Sequence, residues 1–284
     1  MGATRPGWER ARVMVTVMTY PNPSEKYEET VCVAGVRLDG GEPRWIRLYP
    51  MRIRNVDEGW QFKKYDVIEL DVQPHGSKDP RIESYRPDQS KLRVVDHVAA
   101  EGDWTRRREL LANLRGATTT CSLVAEASEA PMNAPARSLG MIRPTVSHVE
   151  VKPGQPWTPE QQRKIDAVSG QEVLFGTPMT PLEPMPFVVR YHYSCQEPAC
   201  RGHDQKVLDW ELGQAGRKWF RRYGDETIEK IRHKWERQMV ASDRDLHFFI
   251  GNQHQHRRSF SVLGTWWPAR RPEQISLFEP VPYT

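Results

Sequence analysis

The sequence predicts an α+β protein: an N-terminal curled β-sheet or small barrel, then a C-terminal zinc knuckle, a helix pair and a β-hairpin. Three observations predict it. Short runs rich in Val, Ile and aromatics fill the chain up to Val72, and Pro, Gly, Asn and Asp separate them. Cys195-x4-Cys200-x2-His203 lies between a strand-like and a helix-like segment. Leu208, Leu212, Ala215 and Trp219 then recur at helical spacing.

The strand-like runs are Arg12–Tyr20, Glu29–Leu38, Arg44–Pro50 and Tyr65–Val72, with Leu38-Asp39-Gly40-Gly41-Glu42 as a hairpin turn between two of them. A polar, basic stretch centred on Arg81–Asp88 follows. Leu110, Leu111 and Leu114 give Trp104–Arg115 helical spacing. The proline-rich middle, Ala125–Pro186, reads as strands joined by long loops. Pro186–Cys195 is again a strand. Asp204 or Asp209 can cap the next helix, Gly224 can end it, and Asp225 can cap its successor. Leu246–Pro268 reads as two strands around a polar, basic loop. A division into a mainly β region, residues 1–150, and a knuckle, helix and hairpin region, 151–284, fits this order; one continuous domain is the alternative.

Of 284 residues, 38% are hydrophobic and 27% charged, and no apolar run reaches the ~20 residues of a membrane helix. No signal-peptide core is evident, so a cytoplasmic protein without a membrane partner is expected. Forty-one basic residues against 37 acidic give +4, which suits a nucleic-acid partner without demanding one. Four cysteines in such a chain point to metal or core packing rather than a disulfide scaffold.

The knuckle supplies two thiolates and an imidazole for tetrahedral zinc in a structural role. His192 is the expected fourth ligand, with Cys32 and Cys121 as alternatives. Four residues are catalytic candidates. Asn252 and His254 sit in the Gly251–Ser259 loop, whose amides, imidazoles and guanidiniums can read bases and move protons. Glu83 and Asp209 are carboxylates able to assist an acid–base step or steady an oxocarbenium ion. The rigid, two-proline loop with Tyr20, Asn22, Ser24 and Lys26 suits base binding, as does Arg86. Arg217, Arg221 and Arg222 on the basic helices, and Arg257 and Arg258 in the hairpin, are phosphate candidates. A solvated helix face and an exposed hairpin tip have similar compositions.

No GK[ST] phosphate loop, GxGxxG, HExxH or GxSxG occurs, which argues against kinase, P-loop ATPase, Rossmann oxidoreductase and serine-hydrolase readings. TYPNPSEKYEETVCVAG, the Cys-x4-Cys-x2-His run leading into DWE, and GNQHQHRRSFSVLGTWWP together resemble a family of prokaryotic antiphage DNA glycosylases. The resemblance spans most of the chain. It implies excision of glucosylated hydroxymethylcytosine from phage DNA, leaving abasic sites, chemistry in which zinc is only structural. The competing readings are a non-catalytic barrel of the PUA or ASCH kind, fused to a zinc knuckle and reading modified bases or RNA, and a nuclease. The nuclease is disfavoured because no tight trio of carboxylates appears.

Overall fold

The computed structural model describes residues 5–21, 30–53, 61–76, 79–131, 134–169 and 182–271. Its first five strands are β1 (Glu9–Met18), β2 (Thr30–Arg37), β3 (Arg44–Arg52), β4 (Asp66–Pro74) and β5 (Ser84–His97). They close into a barrel in the order β1-β2-β3-β5-β4, with β4 returning to β1. Every pairing is antiparallel except β3–β5. This is the connectivity of an OB-type Greek-key barrel. Val13, Val15, Val33, Ile46, Leu48, Ile68 and Leu70 fill the interior.

The barrel is apolar outside as well as inside. A bulge between Val15 and Val17 breaks the simple alternation of β1, so Met14 and Val17 join Ala34 and Val36 of β2 on a second, outward core. That face is covered by a three-stranded sheet of β6 (Leu139–Ile142), β10 (His247–Gln253) and β11 (His256–Trp266), ordered β11-β10-β6. Leu139, Met141, Phe249, Leu263 and Trp266 meet the barrel there, and Trp45 lies edge-on to Phe249 at 6.0 Å.

The opposite face of the same sheet, carrying Phe248, Ile250 and Val262, packs on a third layer. That layer contains β7 (Thr145–Pro153), β8 (Phe187–Ser194) and β9 (His203–Lys206), in the order β7-β8-β9. Thr145–Pro153 runs as a single strand through residue 150. Helices α2 (Thr120–Glu129), α4 (Trp210–Tyr223) and α5 (Thr227–Arg232), the last continued by a π turn at His233–Gln238, complete this core. Trp219 and Trp235 pack edge to face at 6.1 Å. Helix α1 (Glu101–Leu110) follows the barrel, and α3 (Pro159–Ser169) lies between β7 and β8. Among the described residues, no helix is long and apolar enough to cross a membrane.

The α+β class, the N-terminal barrel and the C-terminal hairpin are as expected, and several local expectations are corrected. The polar stretch at Arg81–Asp88 leads into the longest strand, β5, whose burial is confined mainly to Ser84 and Leu92, so no alternation is visible. The middle of the chain holds two helices in addition to strands. Thr119 caps the first by accepting from the Ser122 N–H, but a short helix with few buried positions leaves little periodic signal. Asp225 does not cap the second basic helix, which starts at Thr227 behind Glu226.

His247, at the start of β10, is fully buried, and burial drives its pKa from the usual 6.5 down to about 4. Between these two values the unfolded chain binds more protons than the folded one, so stability falls as the pH falls through this window. The loss should be at most about 3 kcal/mol by pH 4. Urea midpoints across this range should drop on acidification in the wild type, and the drop should be smaller in His247→Asn. Equal slopes in the two proteins would contradict this account.

Candidate metal centre and barrel seam

β8 alternates strictly, with Tyr191 and Tyr193 inward and His192 outward. Cys195 shares the inward parity and follows directly after the strand. Cys200 and His203 are brought back by the turn into β9, where Gly202 adopts a left-handed φ of +95°. The donor atoms of Cys121, Cys195, Cys200 and His203 all lie within 4.8 Å of one another. Cys121 Sγ and Cys200 Sγ stand 3.4 and 3.3 Å from His203 Nε2. Tetrahedral bonds of about 2.0 Å to nitrogen and 2.3 Å to sulfur require N···S edges of about 3.5 Å. The four residues therefore fit a tetrahedral metal ion. The backbone N–H groups of Cys195 and Gly202 donate to Cys200 Sγ, each at 3.4 Å, as expected for a thiolate ligand.

The expected fourth ligand is corrected. His192 points away, with its ring 5.3 Å from that of His148 and its Nε2 3.7 Å from Asp204. An odd offset from Cys195 along an extended strand puts it on the wrong face. Cys121, in the first turn of α2, takes its place, and Cys32 lies elsewhere, where it accepts from Arg47. Without metal the thiols share charge unevenly. Burial opposes the Cys195 thiolate, but the backbone N–H groups of Cys121 and Glu197 and the His203 ring bring its pKa down to about 6. Burial and the neighbouring thiols push Cys121 up to about 12. A cation would remove that asymmetry by stabilising every thiolate.

A second polar cluster lies at the seam between the barrel and the middle sheet. Glu83 accepts from the Ser138 N–H at 3.1 and 3.2 Å and from its hydroxyl at 2.8 Å. Arg47 donates to the Ser138 carbonyl at 3.0 Å and to Cys32 Sγ at 3.0 Å. The Asn252 N–H reaches the same Ser138 carbonyl at 3.2 Å, while Arg81, paired with Asp79, donates to the Asn252 carbonyl at 3.3 Å. Glu83 and Asn252 thus converge on Ser138 from two layers. Both are buried, at 6% and 4% exposure, and the carboxylate is committed to Ser138. Among the described residues, Asn252 Oδ1 and Arg47 Nε have no hydrogen-bond partner.

Asp209 caps α4 by accepting from the Glu211 N–H at 2.9 Å, and it also accepts from Lys64 at 2.8 and 2.6 Å. Burial alone would weaken the hold of Lys64 on its proton, but Asp209 and Glu211 outweigh it and raise its pKa above the ordinary value. Glu211 accepts from the same ammonium at 3.2 Å while its side chain stays largely in solvent. Beside this pair Tyr20 stacks on Trp210 at 5.6 Å, and its hydroxyl meets Arg217.

Several expected contacts have other duties. Arg217 is bound to Glu183 and Tyr20 and is not an open phosphate contact. Arg257 donates to the carbonyls of Pro131 and Ala134, and Arg258 to that of Ser128 near the end of α2. His254 is exposed in the two-residue turn between β10 and β11. Arg86, Arg221 and Arg222 are exposed. Asn22, Ser24 and Lys26 lie outside the described residues. Sequence reasoning offered Cys121 only as an alternative fourth ligand, beside Cys32 and after His192. It missed Lys64 altogether, since one lysine in a polar segment gives no signal.

A family model described as a domain of unknown function, DUF8757, matches residues 116–282, more than half of the chain. The chain belongs to this family. A second domain of unknown function, DUF8758, matches residues 9–113, which takes in the barrel and α1. No curated protein matches the sequence. The four candidate metal-ligand positions of this DUF8757 member all fall in the larger matched segment, whereas the Lys64–Asp209 pair joins the two.

If the four residues form one centre, Cys121→Ser and Cys200→Ser should each lose the bound metal measured by atomic emission, with a fall in thermal midpoint. His192→Ala should keep it. Full metal content in both cysteine variants would overturn the site.

Proposed function

We propose that this protein is a DNA-binding protein in which a structural zinc ion holds the Cys121–Cys195–Cys200–His203 centre, and that it is a DNA N-glycosylase excising a modified, glucosylated hydroxymethyl cytosine. Three thiolates and one imidazole in a closed set of four favour zinc and leave no open position for substrate. The barrel strands that usually face nucleic acid in this architecture, the second and third, are covered here by the middle sheet. Binding is therefore assigned elsewhere.

The observation that carries the reading is the solvent end of α4. Lys218, Arg221 and Arg222 are exposed there, and none of them is within salt-bridge distance of a carboxylate among the described residues. Phe220, 54% exposed, is their neighbour in sequence but projects from another side of the helix. Three cations on one helix face, without carboxylate partners among the described residues, suit the phosphates of a nucleic-acid backbone. The following helix differs in its ion pairs: Arg232 and Arg237 are paired with Glu229, whereas Arg222, like Lys230 and Lys234, lies over an aromatic ring but has no carboxylate partner among the described residues. The charges at the end of α4 also face the negative end of the helix dipole, which accounts for part of their placement.

For the chemical step, a glycosylase must hold an extruded base and stabilise positive charge as the N-glycosidic bond breaks. Glu83 is committed to Ser138 and Asp209 to Lys64. Glu211 is the carboxylate of this group that reaches solvent, held by Lys64 beside the Tyr20–Trp210 stack, and we assign it the charge-stabilising role. The commitment of the other two carboxylates favours a second reading, a non-catalytic reader of modified bases.

The experiment is incubation with DNA containing glucosylated hydroxymethylcytosine, followed by alkali. Strand breaks that appear only after alkali and vanish in Glu211→Gln support the glycosylase. Tight binding with intact DNA supports the reader. Lys218→Ala/Arg221→Ala/Arg222→Ala should weaken binding and make the slope of log affinity against log salt shallower by about 2 to 3. An unchanged slope would place the contact elsewhere.

A further inference from the structure

Six arginines and three aspartates gather where α1, the β6–β7 turn and the outer ends of β10 and β11 meet. Asp245 is shared by Arg108 at 2.9 Å, Arg115 at 3.3 Å and Arg143 at 3.9 Å. Asp103 is shared by Arg108 at 3.4 Å and Arg271 at 3.1 Å, and Asp243 faces Arg244 at 3.6 Å. Among the described residues Arg270 has no carboxylate partner; its guanidinium donates to the Arg244 carbonyl at 3.4 Å. His247, 3.5 Å from Asp245, is neutral at physiological pH and adds no charge.

Among the described residues the count leaves three positive charges uncompensated, whereas Arg106–Glu109, Arg137–Glu126 and Arg190–Asp204 are one-to-one pairs. The arrangement is also graded. Arg108 and Arg115 are pinned by aspartates and carbonyls at its base, while Arg143, Arg270 and Arg271 are exposed.

We infer that this cluster is a second phosphate-contacting surface for a nucleic-acid backbone, an inference that rests on the DNA-binding reading above. All six cations are guanidiniums, whose planar forks match phosphate oxygens in pairs. Ile82, Val94, Val95 and Phe220 are the exposed large hydrophobics among the described residues, and none belongs to the cluster. A membrane-surface site would need such a side chain to enter the lipid. The surface also draws on both matched segments, Arg108 from the first and Arg143, Arg244, Arg270 and Arg271 from the second. A strand docked there would contact the barrel-side helix and the C-terminal sheets together.

The test uses the full chain carrying Arg143→Ala/Arg270→Ala, two exposed residues, of which Arg143 is the most distant of the three arginines on Asp245 and Arg270 has no carboxylate partner among the described residues. Fluorescence anisotropy with labelled duplex and single-stranded DNA is recorded across a salt series, and an unchanged thermal midpoint confirms that the variant is folded. Binding should weaken by about tenfold or more at moderate salt, with the salt slope shallower by about 2. Arg143→Lys/Arg270→Lys should keep the wild-type slope. If the wild type binds DNA and the alanine variant keeps its slope, this inference is overturned while the DNA-binding reading stands. If the wild type binds neither form of DNA, both fall. If the variant loses binding to phosphatidylserine vesicles but not to DNA, the surface belongs to a membrane and the inference is overturned.

Discussion

The structure depends on one sheet that has no free face. In β10, Phe249 points into the core shared with the barrel, while Phe248 and Ile250 on either side of it point into the core shared with β8, α4 and α5. A strand buried on both faces cannot alternate polar with apolar, and His247–Asn252 is accordingly buried throughout. Fully burying an aromatic side chain such as Phe248 or Phe249 contributes roughly 1.5–3 kcal/mol. Neither flanking layer can be removed without exposing one of those rings.

This layering decides where chemistry and binding can occur. The outward face of β1 and β2 is consumed in packing, so the barrel serves as a scaffold there rather than as a ligand platform. Its polar residues appear at the edges of contact: Glu83 and Arg47 on Ser138, and Lys64 on Asp209. Such buried pairs are sensitive to the loss of one partner, at about 3–5 kcal/mol, because the remaining charge cannot reach water. The Cys121, Cys195, Cys200 and His203 group, which could hold a metal ion, brings the start of α2 to the β8–β9 turn. The open positive charge lies outside all of these, at the end of α4 and around Asp245.

What the sequence discloses follows from how local each feature is. Cys195, Cys200 and His203 are legible because a short turn brings them together, and the strands of the barrel are legible because β-branched residues cluster between turn residues. Cys121 is legible only as one alternative among three, since only the packing of α2 against the sheets brings it to the centre. Lys64 and Asp209 are 145 residues apart, and nothing in either local segment announces the pair. The Asn–His–Arg loop looked like a site because its polar residues are dense. The structure divides them instead: Asn252 is buried beneath the hairpin, His254 sits at the tip, and Arg257 and Arg258 tie the hairpin to the end of α2. Composition alone cannot separate a guanidinium that closes a loop from one that awaits a phosphate; its hydrogen-bond partners can.

The central claim is that the barrel and the C-terminal layers are one cooperative unit, locked by β10. Native-state amide hydrogen exchange with increasing denaturant tests it most directly, because it reads the opening free energy of each strand separately. The amides of β2 and β10 should converge on one common opening that exposes both strands together. Exchange of β10 through a lower-energy opening that leaves β2 protected would contradict the account.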